Sequence, residues 1–382
     1  MLEYITAGES HGQAIITVIS GFPAGVRIKE EVINSELKRR RACAGRGPRM
    51  SLEKDKIEIL SGLKNGKTIG APITIQVRNQ KNTIDFLPSI TRVRPGHIDL
   101  AAAMKFLTPD GRIGAEQASA RTTVGRVIAG SVAKSLLDHF DIKVFGYTTQ
   151  IGSVQADHPT GRPVNWRTGR QTSFYTLDKN VIPEWKHLLS EAENDGDTLG
   201  GCFEVAGFNI PVGLGDHTHW PDRFDARLSQ AIMAIPAVKG VEIGLGFGYA
   251  DKPGSQVMDL FATHNNRPIF NKYGGWKRMS NYAGGIEGGL TNGENITVRA
   301  AVKPIPTLRR PLPTIDLRTK RPAKAQVESS DICAVPAASV IGEAVVAFEI
   351  ARAFISRFPG RTIAEITTDF REYQRKLKKK FG

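Results

Sequence analysis

Cysteine is scarce in this 382-residue chain: Cys43, Cys202 and Cys333 are odd in number and widely spaced. They form neither a disulfide framework nor a thiolate metal site, so reduced thiols and a cytoplasmic location are expected. Long apolar runs are missing too. No stretch of about 18 or more apolar residues occurs, so no membrane-spanning helix and no membrane partner are expected. The opening MLEYITAGESHG lacks the basic-then-apolar pattern of a secretory signal. Metal-ligand patterns are incomplete. His217 and His219 flank Thr218 beside Asp216, with His264 further on, and nothing completes a shell. Asp195-Gly196-Asp197-Thr198 begins like a calcium loop, yet Ala206 stands where the closing glutamate belongs, so a turn entering a strand is expected. Gly45-Arg46-Gly47-Pro48 lacks the Gly-Lys-Ser/Thr ending of a P-loop, and Gly244-Leu245-Gly246-Phe247-Gly248 precedes no helix.

Acidic residues are the other shortage: 38 Asp and Glu against 52 Lys and Arg leave a formal charge of +14. Such a charge draws anions in general, whether nucleic acid, acidic lipid or phosphorylated metabolites. No basic strand with interleaved aromatics supports nucleic-acid binding. The run Arg371-Glu372-Tyr373-Gln374-Arg375-Lys376-Leu377-Lys378-Lys379-Lys380 reads as the solvated end of a helix. With 40% hydrophobic and 24% charged residues the chain has globular composition, which excludes a disordered protein.

What the chain has in excess is arginine in one place. Residues 39–49 (RRRACAGRGPR) hold five arginines and no acid. Guanidinium groups fork onto phosphate and carboxylate oxygens, and the small spacers let a loop wrap a compact ligand. His11 in Gly8-Glu9-Ser10-His11-Gly12 and His97 in Arg94-Pro95-Gly96-His97-Ile98-Asp99 add a residue type suited to proton transfer. Asp99 can hold the His97 ring or start the following helix. Lys303-Pro304-Ile305-Pro306-Thr307 is a rigid extended segment suited to a phosphate or a heteroaromatic ring, and Asp331 or Ser330 stands before an apolar helix as a cap or a site residue. An anion clamp with two placed histidines points to an enzyme for a small phosphorylated acid.

Hydrophobic periodicity outlines the architecture. Strands are expected at 14–19, 56–60, 72–77, 199–205, 238–247 and 296–302, and helices at 29–41, 117–140, 224–235 and 337–354. Residues 152–173 hold Gly, Pro, Asp and Arg without periodicity and read as an exposed excursion. Helices and strands alternate irregularly, so an α+β arrangement with sheets flanking central helices fits best.

Ordered blocks along nearly the whole chain resemble the chorismate synthase family: GESHGQAIITVISGFPAG, RRRACAGRGPRM, RPGHIDLAAAMKF, EQASARTTVGRVIAGSVA, DGDTLGG, IPVGLG, IPAVKGVEIG, NYAGGIEGGLTNGENITVRAAVKPIPTL and SSDICAVPAASVIGEA. The resemblance implies a β-α-β sandwich with helices between two antiparallel sheets, a single domain over 1–382 with a peripheral tail at 371–382, and a homotetramer. It implies a lyase that removes phosphate from 5-enolpyruvylshikimate 3-phosphate (EPSP) to give chorismate, using reduced FMN, with NADPH a source of reduction in some members. By the same resemblance His11 protonates or stabilises the departing phosphate, His97 stabilises the reduced flavin, and Asp331 tunes proton relay. Arg40, Arg46 and Arg94 bind EPSP. FMN contacts would fall on Gln117, Ala118, Ser119, Pro236, Ala237, Gly288, Lys303, Pro304, Ile305, Pro306, Thr307 and Ser329. The family usually has Arg-Ser where this chain has Gln117-Ala118, Glu where it has Thr122 and Arg where it has Ser329. A divergent paralogue with a weakened flavin site and a non-catalytic binding role is the alternative that these departures raise.

Overall fold

The computed structural model describes residues 1–47, 55–80, 82–157, 169–328 and 331–382. The first sheet comes from the N-terminal quarter: β1 (Glu3–Ala7), β2 (Ala14–Ser20), β3 (Ile57–Ser61) and β4 (Ile73–Arg78), in the order β1-β2-β4-β3 and antiparallel throughout. Strict alternation makes it one-sided. Ile15, Thr17 and Ile19 of β2, with Ile73, Ile75 and Val77 of β4, point inward and are fully buried. Helix α1 (Glu30–Arg41) crosses between β2 and β3, and α2 (Asp99–Lys105) and α3 (Arg112–Gln117) follow β4 as short pieces. Then come α4 (Thr123–His139), β5 (Lys143–Ile151), β6 (Val154–Gln155), α5 (Ile182–Asn194), β7 (Gly201–Phe208), α6 (Phe224–Met233), β8 (Val238–Ile243) and β9 (Ile296–Val302). The second sheet has the order β8-β9-β7-β5-β6, again antiparallel. Two helices close the chain, α7 (Val335–Arg357) and α8 (Ile363–Phe381).

Helices fill the space between the sheets. Helix α4 packs under β1 and β2, α7 packs under β5 and β7, and the two helices lie against each other. An amphipathic helix needs one apolar face; α7 is buried nearly all round, from Val335 to Phe354, because it has neighbours on every side. The helices meet closely at Gly130, where a Cβ would stand 2.3 Å from the Ala344 carbonyl oxygen. A layered β-α-β sandwich results, with one apolar cluster running from Leu2 to Phe370.

A charged group sits inside this helical layer. Glu343 of α7 has no exposed surface, and its carboxylate accepts from Arg39 (3.0 and 3.1 Å), Arg170 (2.7 Å), the Gly146 backbone N–H (2.9 Å) and Lys134. Glu36 shares the same cations, at 2.7 Å from Arg39 and 2.9 Å from Lys134. This knot ties α1, α4, α7 and β5 together.

Several expected boundaries change. The helix expected over 117–140 is interrupted: α3 stops at Gln117, Ser119 caps a 3-10 turn at Ala120–Thr122 by accepting from the Arg121 N–H (3.2 Å), and α4 starts at Thr123. The strand expected over 238–247 ends at Ile243, because Gly244 turns the chain with φ +59°. Several elements were not expected, among them β1, α3, β5, β6 and α5. Strand β5 is buried along most of its length on both faces, so it lacks the alternation that marks a strand, and α5 anchors through the fully buried Trp185. Part of the excursion at 152–173 lies outside the described residues, whereas Phe174 and Tyr175 just beyond it pack inward. Asp331 is not the cap of α7, a position that belongs to Ala334, and Ser330 lies outside the described residues. The basic run at 371–380 continues α8, which begins with a Thr362–Glu365 capping box and buries Ile366 and Phe370.

The knot sets an acid limit on stability. Burial alone would raise the Glu343 carboxyl, but Arg39, Lys134 and Arg170 outweigh it and hold it well below the usual carboxylate range. A carboxyl lowered in the folded state contributes stability above its unfolded value near ~4.3, and that contribution is lost as pH falls toward the folded value. Glu343→Gln should therefore lose roughly 3–5 kcal/mol at pH 7 and show a shallower decline on acidification, read by urea denaturation at pH 4 to 7.

Candidate active site

The ends of several elements converge on one cavity. Helix α1 terminates in its arginines, and the chain turns back at Gly45, where φ is +79° and a Cβ would meet the Cys333 carbonyl oxygen at 2.6 Å. Arg40 is 1% exposed. It donates to Thr123 Oγ1 (3.3 Å) and Asp55 Oδ2 (3.4 Å), while its Nε has no partner among the described residues. Arg121, also buried, bonds the other oxygen of Asp55 and donates to Asn79 Oδ1 at 2.8 Å. Arg46 donates to Asp331 and, at 2.6 Å, to the Arg40 carbonyl oxygen; its Nε is likewise buried without a hydrogen-bond partner. Asp331 completes its own shell with the Gly47 N–H at 2.8 Å.

Among the described residues three guanidiniums here face two carboxylates, Asp55 and Asp331. The consequence shows on Arg40, whose pKa falls to about 10, first through burial and then through the adjacent Arg46 cation. For Asp55 burial acts upward, yet Arg40 and Arg121 outweigh it and the carboxyl is lowered. An anion entering the cavity relieves this imbalance, and the buried Nε groups give it donors.

Both histidines are backed by buried carboxylates. Asp99 opens α2 with no exposed surface; it bonds His97 Nδ1 and takes Arg94 through Nε (2.7 Å), Nη2 (2.8 Å) and the backbone N–H (3.1 Å). Burial would raise Asp99, but hydrogen bonds from His97 and Arg94 drive it far down. Arg94 also donates to Thr307 Oγ1 (3.0 Å), and its Nη2 stands 3.0 Å from His97 Nδ1. His11, on the β1–β2 loop, meets Glu116 of α3: Nδ1 lies 2.9 and 3.0 Å from the two carboxylate oxygens, and the backbone N–H donates at 3.0 Å.

The cavity between these groups encloses about 430 Å³, within the range of small-molecule sites. Its lining joins the cationic side chains with an apolar set, Ala118, Pro236, Ala237, Ile305, Pro306 and Ile341. His11, His97, Asp331, Arg40, Arg46 and Arg94 all line it, as do Ser119, Lys303 and Thr307. Gln117 and Pro304 are exposed and off the wall. Gly288 lies at the exposed tip of a hairpin whose neighbours Glu287 and Leu290 border a different cavity. Ser329 lies outside the described residues. Sequence reasoning missed Asp55, Arg112, Glu116 and Arg121. Arg121 stands inside the block EQASARTTVGRVIAGSVA and was within reach; nothing near Asp55 or Glu116 in the sequence marks their long-range partners.

Fold and cavity together define an enzyme site for a compact polyanion, with apolar side chains in its lining. The comparisons agree. The chorismate synthase family model matches residues 2–355. The chain is 47% identical to the chorismate synthase of Geotalea daltonii, over 99% of this chain and 100% of that one, and 44% identical to that of Geobacter sulfurreducens, over 98% of each. A crystal structure of a chorismate synthase, 35% identical, superposes with a TM-score of 0.80 over 99% of this chain and 98% of that one. The chain belongs to the chorismate synthase family, and so is a carbon–oxygen lyase of the shikimate pathway that converts EPSP to chorismate. A flavin cofactor goes with the family, and the pairing of an apolar lining with buried, unpartnered arginine donors fits one.

The arginine cluster makes a direct prediction. Inorganic pyrophosphate should bind the protein at one site, and Arg40→Ala should weaken it about 10- to 100-fold, the loss of a charge-assisted hydrogen bond or two, as measured by calorimetry; undiminished affinity would remove Arg40 from the site.

Proposed function

We propose that this cavity binds EPSP together with reduced FMN and carries out the 1,4-elimination of phosphate with residues placed as follows. Arg40 and Arg46 meet the phosphate and carboxylates of EPSP with donors held rigid by Asp55, Thr123 and Asp331. Fixed cations at a dianionic leaving group stabilise charge that develops as the C–O bond breaks. Arg94 adds positive charge, while most of its donors hold the His97–Asp99 pair in place. Each histidine has Nδ1 occupied by a carboxylate, which leaves Nε2 for the reactants. His11 Nε2 delivers a proton to the departing phosphate, and His97 Nε2 stabilises the reduced cofactor. Asp331 joins the arginine cluster to the proton path.

Ala118, Ser119, Pro236, Ala237 and the segment from Lys303 to Thr307 would hold FMN against the apolar lining. Reduced FMN, when bound, would supply electron density transiently as phosphate leaves and recover it as the C6 proton is lost, so that the elimination has no net redox change. NADPH is the source of reduction in this reading. A homotetramer is supported by the exposed Phe247, Leu260, Phe261 and Met279, and a cytoplasmic location by the free thiols of Cys43, Cys202 and Cys333. Among the described residues no helix is long and apolar enough to cross a membrane.

The observation that carries this reading is the convergence of two carboxylate-backed histidines and a buried arginine cluster on one cavity. The test is anaerobic phosphate and chorismate release from EPSP with and without chemically reduced FMN. Turnover should require the reduced flavin, and His11→Ala should lower kcat by about 10²- to 10⁴-fold. Folded protein without turnover at saturating flavin would refute the proposal.

A further inference from the structure

Glu116 is 4% exposed and stands on a six-residue helix far in sequence from His11, yet three hydrogen-bond contacts join the two residues. The carboxylate is itself positioned from behind. Arg112 Nη1 lies 3.6 Å from it, and the same guanidinium is pinned by the Pro88 carbonyl oxygen and Glu328, both at 2.9 Å. A buried ion pair of this kind can exist only to hold a loop. The loop carrying His11, however, is held by other bonds. Asn79 Nδ2 donates to the carbonyl oxygens of Glu9 (3.0 Å) and Gly12 (2.8 Å), and the Thr83 and Ile84 N–H groups donate to the His11 carbonyl oxygen at 3.0 and 3.2 Å. Asn79 is in turn fixed by Arg121. What Glu116 alone supplies is an acceptor at the ring nitrogen.

We infer that Glu116 is a positioning residue that orients the His11 ring by holding a proton on Nδ1, so that the proton to be delivered is the second one, carried on Nε2 of the imidazolium and facing the cavity. An ionised carboxylate accepts only, so the nitrogen that faces it must be the donor. Glu116 meets that condition: burial acts to raise its carboxyl, but the hydrogen bonds from His11 outweigh this and keep it ionised at neutral pH. Orientation of a catalytic imidazole by a buried carboxylate is a recurrent device: the carboxylate keeps Nδ1–H in both charge states, so the proton that comes and goes is the one on Nε2. The inference rests on the role proposed above for His11, and deepens it by naming what sets that residue's ring.

Solid-state ¹⁵N NMR of the full chain labelled with ¹⁵N-histidine tests this, with the His11 signals assigned by their loss in His11→Gln. In the wild type, neutral His11 should carry its proton on Nδ1. In Glu116→Ala it should shift to the Nε2-protonated form or a mixture, kcat should fall roughly 10- to 100-fold, and KM for EPSP should stay within about threefold. Glu116→Gln, whose side-chain carbonyl still accepts from Nδ1–H, should restore the tautomer and most of the rate. An unchanged tautomer in Glu116→Ala, or no recovery in Glu116→Gln, would overturn the inference. A wild-type protein that fails to turn over EPSP would instead refute the proposed function, while the NMR result would still decide what Glu116 does to the ring.

Discussion

A guanidinium removed from water must be met by a carboxylate or by a ligand, and the cavity is organised by that requirement. Arg40, Arg46, Arg94 and Arg121 are all buried at the meeting point of the helical layer and the loops. Asp55, Asp99 and Asp331 meet them in part. Full compensation would give an inert ionic core. Among the described residues the cations outnumber the carboxylates that hold them in place, which suits the cavity to binding a phosphorylated acid in one orientation.

The sandwich makes such a site affordable. Its two sheets and the long helices α4 and α7 bury a continuous apolar cluster, and the Glu343 knot locks α1 to that layer. Arg39 binds Glu343 while its neighbour Arg40 enters the cavity, so the same turn of α1 serves the core with one arginine and the ligand with the next. Rigidity at the first position fixes the second. The histidines follow the same logic on loops, each set by a carboxylate from a helix beside it.

Much of this was legible in the sequence, and the failures have physical causes. Strands with one buried face, such as β2 and β4, announce themselves by alternation, and α7 by its unbroken apolar length. The arginine cluster and both histidines stood out because charge and glycine concentrate there. Strand β5 was hidden because burial on both faces erases alternation. The break between α3 and α4 was hidden because Ser119 and Thr123 suit helix interiors and caps alike. Carboxylate partners were the largest gap: Asp55 meets Arg40 and Arg121, 15 and 66 positions away, and Glu116 meets His11, 105 positions away, separations no local pattern encodes. Of the two departures at Gln117 and Ala118, Gln117 is off the cavity wall while Ala118 lines it together with Arg112 and Arg121.

The central claim is that binding depends on arginines held in orientation and not simply on positive charge. Asp55→Asn separates the two, because it raises the net charge of the cavity while turning one of the two oxygens that hold Arg40 and Arg121 into an NH2 that cannot accept from a guanidinium. Equilibrium dialysis of EPSP against folded Asp55→Asn should show affinity at least about 10-fold below wild type. Equal or tighter binding would contradict the account and leave bulk charge as the cause.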